Sequence, residues 1–128
     1  MPIPAHDPRT YAIIGAAQEV HSVLHRGLLE DIYCQALAVE FELRHVPFKH
    51  QVPCQVKYKD RKLTGFHRID FVCFDGVVVE VKAVSGTTPA DHAQIINYLA
   101  LSGKTVGLLL NFGERSLFHK RFVLGYQE

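Results

Sequence analysis

The spacing of apolar side chains changes period along the chain, and each change marks an element. Ile13, Ala17, Val20 and Leu24 recur three or four residues apart, which predicts an amphipathic helix. Asp7-Pro8 supplies an N-cap followed by proline in the first turn, and Gly27 supplies the stop. A second stripe of the same period, Ile32, Ala36, Val39 and Leu43, predicts a helix over residues 28–45 with that stripe turned to the core. Residues 48–58 and 63–74 read as strands around the polar turn Lys59-Asp60-Arg61, and the apolar run 77–84 as a buried third strand. Thr88-Pro89-Ala90-Asp91 is a capping box that opens a helix ending near Ser102, with Gly103 as its stop. Residues 105–111 form an apolar strand and 117–124 a final edge strand. The order predicts the α/β class, with a mixed sheet of about five strands flanked by three helices.

The loop between the second and third strands decides which side chains share a face. A two-residue turn at Asp75-Gly76 pairs Phe74 with Val77 and leaves Asp70 opposite Val81, on the face away from Glu80. A three-residue loop, Phe74-Asp75-Gly76 with Gly76 left-handed, instead pairs Cys73 with Val77 and Asp70 with Glu80. We adopt the three-residue loop, because the two carboxylates then meet.

Glu80 and Lys82 point to one face of the third strand, roughly 7 Å apart along the backbone. Charge in a core strand is costly unless it is paired or used. An ion pair at a sheet edge is the plain structural reading. Asp70 facing Glu80 at a Cβ separation of about 5 Å argues for more, since like charges tolerate that distance poorly without a cation between them. Oxygen donors with no cysteine or histidine cluster nearby favour Mg²⁺ or Mn²⁺ over Zn²⁺. Lys82 beside such an ion is suited to orienting or deprotonating a water and to stabilising an anion on a phosphate. This is the chemistry of phosphodiester hydrolysis.

Composition narrows the setting. With 128 residues, 48% of them hydrophobic, the chain buries one core and leaves no room for a second domain; residues 1–7 read as a flexible tail. Three scattered cysteines without a C-x-x-C pair fit a reducing compartment. No stretch suits a membrane span or signal peptide, so a cytoplasmic protein is expected. A net charge of only +1 excludes a protein whose main task is to coat nucleic acid. Cations do gather around the hairpin, at Lys49, Lys57, Lys59, Arg61, Lys62 and Arg68, and any one of them reads equally well as a solvated edge. Arg68 shares strand parity with Asp70 and is expected to face the same cleft.

A third carboxylate stands in Arg26-Gly27-Leu28-Leu29-Glu30-Asp31-Ile32-Tyr33. The spacing Gly27-x-x-Glu30-x-x-Tyr33 resembles the signature of the GxxExxY family in the PD-(D/E)XK nuclease superfamily. The resemblance covers nearly the whole chain: Ile13-Ile14-Gly15-Ala16-Ala17, Glu19-Val20-His21, Gln51-Val52-Pro53, Arg68-Ile69-Asp70, Glu80-Val81-Lys82-Ala83-Val84 and Leu109-Leu110-Asn111-Phe112. Gln94-Ile95-Ile96-Asn97-Tyr98 is similar to the Q-x-x-x-Y motif of RecB-type nuclease domains. One departure is Phe66-His67 before Arg68, where the family usually has a Gly-Tyr-like pair; Cys34, Cys54 and Cys73 also stand at positions that look structural. The resemblance implies a PD-(D/E)XK core and a Mg²⁺- or Mn²⁺-dependent nuclease acting on nucleic acid, DNA before RNA, in repair, recombination or defence. Asp70, Glu80 and the Val81 carbonyl would hold the metal, Glu30 would bind it or a second ion directly or through water, and Lys82 would position the attacking water. Arg68, Gln94 and Tyr98 would face the substrate. A binding module that kept the fold and lost turnover, and a homodimeric junction resolvase, are the competing readings.

The histidines offer less. His21 and His25 have the spacing of a zinc pair, but Ser22 stands where H-E-x-x-H needs glutamate, so both read as helix-surface residues. His67 alternates away from Asp70 and is expected on the opposite face, and a Cys73–His67 nucleophile pair lacks an orienting third group. His92 and His119 have no identifiable partner.

Overall fold

The computed structural model describes residues 7–63 and 67–125. Asp7 caps α1 (Pro8–Leu24) through its side chain, which accepts the Arg9 amide at 2.9 Å, and it is buried, so it belongs to the folded domain rather than to a tail. Residues 1–6 of the expected tail lie outside the described residues. The helix ends at Leu24, earlier than Gly27, with His25 in the left-handed region at φ 58°.

The second helix, α2 (Glu30–Leu43), starts two residues late and faces the other way from the predicted stripe. Its buried side chains are Tyr33, Cys34, Leu37 and Phe41, whereas Ile32, Val39 and Leu43 are exposed. The helix carries two apolar stripes. Periodicity alone does not say which one the sheet covers, and the larger rings of Tyr33 and Phe41 take the core.

The expected first strand splits. β1 (Phe48–Cys54) belongs to the main sheet, while β2 (Lys57–Tyr58) pairs with β3 (Arg61–Lys62) as a separate small ribbon. β4 (His67–Cys73), β5 (Val77–Lys82), β6 (Val106–Asn111) and β7 (Phe118–Val123) complete a five-stranded sheet in the order β1-β4-β5-β6-β7, with β7 at an edge as predicted. All neighbours are antiparallel except β5 and β6, which run parallel and are joined through α3 (Pro89–Ser102). The Thr88–Asp91 capping box is present, and Gly103 ends α3.

The helices flank the sheet on both sides. α1 and α2 cover one face through Ile13, Val20, Leu37 and Phe41 against Phe71, Val79 and Leu110. α3 covers the other through Ile95 and Leu99 against Ile69, Val72, Val78 and Leu109. β5 alternates regularly between these cores, but β4 does not. Phe71 and Cys73 face α1 and α2, while Ile69 joins Val72 on the α3 face, so alternation reverses at Asp70. β1 reverses with it at Gln51, which stands opposite Asp70 between the pairs His50–Phe71 and Val52–Ile69 and has φ 55°. Regular parity therefore does not carry from Arg68 to Asp70, and the argument that aimed Arg68 at the cleft lapses.

Candidate active site

The β4–β5 register pairs Cys73 with Val77 and Phe71 with Val79, the register of the three-residue loop, so Asp70 stands across from Glu80. The left-handed residues of that loop are Phe74 and Asp75, both at φ 54°, rather than Gly76. The Gly76 amide donates to the Cys73 carbonyl at 3.0 Å, and glycine is needed there for room, since a Cβ would lie 2.6 Å from Arg9 Nη1.

Asp70 and Glu80 each accept an amide from the opposite strand. The Asp70 amide donates to Glu80 Oε1 at 3.1 Å, and the Val81 amide donates to Asp70 Oδ2 at 2.8 Å. Glu80 is buried and Asp70 half-buried. Burial, and after it the charge of Asp70, pushes the Glu80 carboxyl up to about 9. Burial also raises Asp70, although the Val81 amide opposes the rise. Two such carboxyls titrate as a pair that holds a proton in common near neutral pH.

Lys82 lies on the same face of β5 as Glu80, two residues on. Its Nζ is 3.7 Å from Asp91 Oδ1 in the first turn of α3. Asp91 thus closes the capping box with one oxygen, accepting the Thr88 amide at 3.0 Å, and holds the lysine with the other. In sequence the capping box accounts fully for Asp91. Its second role becomes legible only once a β-α-β unit is seen to set the start of the helix beyond the end of the strand.

Glu30 comes from the opposite face. α2 packs against the α1-side core, so Glu30 reaches the site around the sheet end rather than across the cleft face. The loop that presents it is built by the residues around it. Gly27 sits at φ 107°, a conformation open to glycine, and the Tyr33 hydroxyl accepts the Leu28 amide at 3.1 Å while donating to the His25 carbonyl at 2.6 Å. The Tyr33 ring stacks on Phe112 with centroids 4.8 Å apart, which anchors the loop to the end of β6. Glu30 is exposed overall, yet its carboxyl is raised by burial of its inner end and then by Asp70, with Lys82 opposing and Asp91 adding to the rise. It therefore stands within the electrostatic field of the other four groups.

Among the described residues, no three histidine, cysteine, aspartate or glutamate side chains come close enough together to hold an ion. The expected gathering of Glu30, Asp70 and Glu80 within one metal's reach is not met, because Glu30 stands off at the sheet end. Asp70 and Glu80 remain an all-oxygen pair whose buried, mutually repelling carboxyls a hard divalent cation would relieve, so the donor set fits Mg²⁺ or Mn²⁺.

Gln94 and Tyr98 flank this centre from α3. Gln94 Nε2 donates to the Tyr98 hydroxyl at 3.3 Å, and the phenol is pushed up to about 12 by burial and then by the charges of Glu80 and Asp70. Both line a cavity of about 450 Å³ shared with His67, Ala93, Asn97 and Leu101. His67 is thus on the α3 side, not the opposite face, because the reversal at Asp70 turns it; its ring lies 6.2 Å from that of Tyr98. His50 was also overlooked in sequence: its ring stacks on Phe71 at 4.5 Å, and its charge bears on Asp70. His21 is buried rather than exposed, with Nε2 2.9 Å from the Glu114 carbonyl, and His92 Nε2 pairs with Thr87 Oγ1 at 3.1 Å.

The fold is similar to one solved structure, titled "Crystal structure of SSO0001", with a TM-score of 0.55 at 12% identity, covering 92% of this chain and 78% of that one. No curated protein matches the sequence. The family model of the PD-(D/E)XK nuclease superfamily matches residues 7–122, nearly the whole folded chain. With its mixed sheet, three helices and a D…E-x-K centre at Asp70, Glu80 and Lys82, the chain belongs to the PD-(D/E)XK nuclease superfamily.

Proposed function

We propose that this chain is a divalent-metal-dependent nuclease that hydrolyses phosphodiester bonds, and that within its superfamily it is of the GxxExxY type. The observation that carries the reading is the cross-strand meeting of Asp70 and Glu80 with Lys82 on the same face, held by Asp91. Clasping of the Gly27 loop by Tyr33 gives the Gly-x-x-Glu-x-x-Tyr spacing a physical reason, since it fixes where Glu30 stands.

Asp70 and Glu80, with the Val81 carbonyl, would hold the ion, and Glu30 would act on it through water. When bound, a divalent ion supplies Lewis-acid polarisation of the phosphate and acidifies water. Lys82 orients the attacking water and stabilises the charge that develops on the phosphate, while Asp91 fixes the ammonium in place. Gln94 and Tyr98 face the substrate strand. Nucleic acid is the substrate class that membership implies, with DNA the first candidate. The described residues contain no helix long and apolar enough to cross a membrane.

A competing reading is favoured by one observation: two carboxylates gather where three were expected, which suits a binding module without turnover. Incubation with single-stranded, duplex, flapped and branched DNA and RNA in Mg²⁺ or Mn²⁺ decides between them. Cleavage that Glu80→Ala abolishes supports the nuclease. Binding without cleavage on every substrate supports the module.

A further inference from the structure

The apolar stripe that the sequence assigned to the core lies on the outside of α2. Ile32, Val39 and Leu43 are 41%, 57% and 70% exposed, and Val23 of α1, at 64%, lies beside Val39 along the same groove. Leu29, at 74%, extends the patch past the start of the helix. Large aliphatic side chains that stay this exposed on one face mark an interaction surface rather than a random scatter. Ile32, Ala36, Val39 and Leu43 are spaced four, three and four residues apart, the seam of a two-helix coiled coil, so the element this face fits is another helix with the same seam.

We infer that α2 pairs with α2 of a second copy of this chain, antiparallel, about a two-fold axis between Ala36 and Val39. The spacing is palindromic, so antiparallel pairing sets Ile32 against Leu43 and Ala36 against Val39, each long side chain or gap meeting its complement. Charge selects the direction. The helix begins with Glu30 and Asp31 and is followed at its other end by Arg44 and His45. Antiparallel pairing places Asp31 in register with Arg44 of the partner subunit and Glu30 with His45 of the partner subunit. Parallel pairing would set the two acidic starts side by side. The paired surface lies on the α1–α2 side of the sheet, away from Glu80 and Lys82, so the cleft stays open in each copy while a basic end of the partner borders Glu30.

Light scattering on the full chain is expected to give twice the 14.4 kDa chain mass, and Val39→Glu to return it to the monomer with an unchanged circular dichroism spectrum. Direction is read by mixing Ala36→Cys chains with Val39→Cys chains under oxidation. The antiparallel register predicts crosslinking in the mixture above either variant alone, and Cys34, Cys54 and Cys73 are buried. A wild-type monomer over the micromolar to millimolar range, or a Val39→Glu protein that stays dimeric, overturns the pairing; crosslinking of Ala36→Cys chiefly with itself overturns the antiparallel register. None of these readouts depends on nuclease activity.

Discussion

Asp70 gives its own backbone amide to the side chain of Glu80, 3.1 Å away, while the Asp70 carboxylate takes the amide of Val81. Each acid is therefore positioned by main chain rather than by a long flexible partner. Two buried carboxylates held this way cannot swing apart to relieve repulsion, so they do so by keeping a proton or by admitting a cation.

A pH dependence follows. Glu80 is raised from 4.5 to about 9, so the folded metal-free protein binds a proton that the unfolded chain releases. That contribution is complete below about 4.5 and is lost as pH rises towards about 9. Glu80→Gln is expected to flatten the fall. Melting temperatures of both proteins between pH 5 and pH 9 in a chelator check it, and parallel curves would contradict it.

Lys82→Ala is expected to lower kcat by about 10²–10³-fold while leaving substrate affinity nearly unchanged, because its role is at the developing charge. Asp91→Asn is expected to lower kcat less, since the lysine keeps its place in β5 and loses only its anchor. Single-turnover cleavage with separate binding measurements distinguishes the two.

The two stripes of α2 predict opposite responses to truncation. Leu37→Ala removes a fully buried side chain and is expected to cost about 2–5 kcal/mol. Leu43→Ala is expected to stay within about 0.5 kcal/mol when urea unfolding is done at concentrations that keep the chain monomeric. Equal costs would mean that the helix is turned otherwise.

Beyond Lys82 the chain is stapled by one amide. Asn111 Oδ1 accepts the amides of Val84 and Gly113 at 3.0 Å each, and its Nδ2 donates to the Val84 carbonyl at 2.9 Å and to Glu114 Oε2 at 2.8 Å. Asn111→Ala leaves these groups unmet and is expected to cost about 1–3 kcal/mol. Gly113→Ala brings a Cβ to 2.2 Å from the Val84 carbonyl oxygen, which the backbone must yield to. Since Val84 follows Lys82 so closely, kcat is expected to fall with the melting temperature, and a stable variant of full activity would refute the link.

Much of this was legible in the sequence. Turn and cap chemistry placed the helices and the main strands, and the demand that Asp70 meet Glu80 chose the hairpin register that BETA pairing of Cys73 with Val77 realises. What stayed hidden had three physical causes. α2 has two apolar stripes, and choosing between them requires the sheet. Asp91 and His67 reach the site through tertiary placement that no local spacing encodes. Strand parity, the rule used for Arg68 and His67, assumes an unbroken alternation that β1 and β4 do not keep.

That reversal means the site is written partly in chain length. Gln51 contributes no carboxylate, yet its left-handed turn opposite Asp70 is where the sheet changes hands between its two helical layers. Deleting Gln51 would leave every acidic residue and the lysine in place while forcing β1 to slip against β4. In such a variant the family's signature would still be readable letter by letter, and the pocket it describes would be gone.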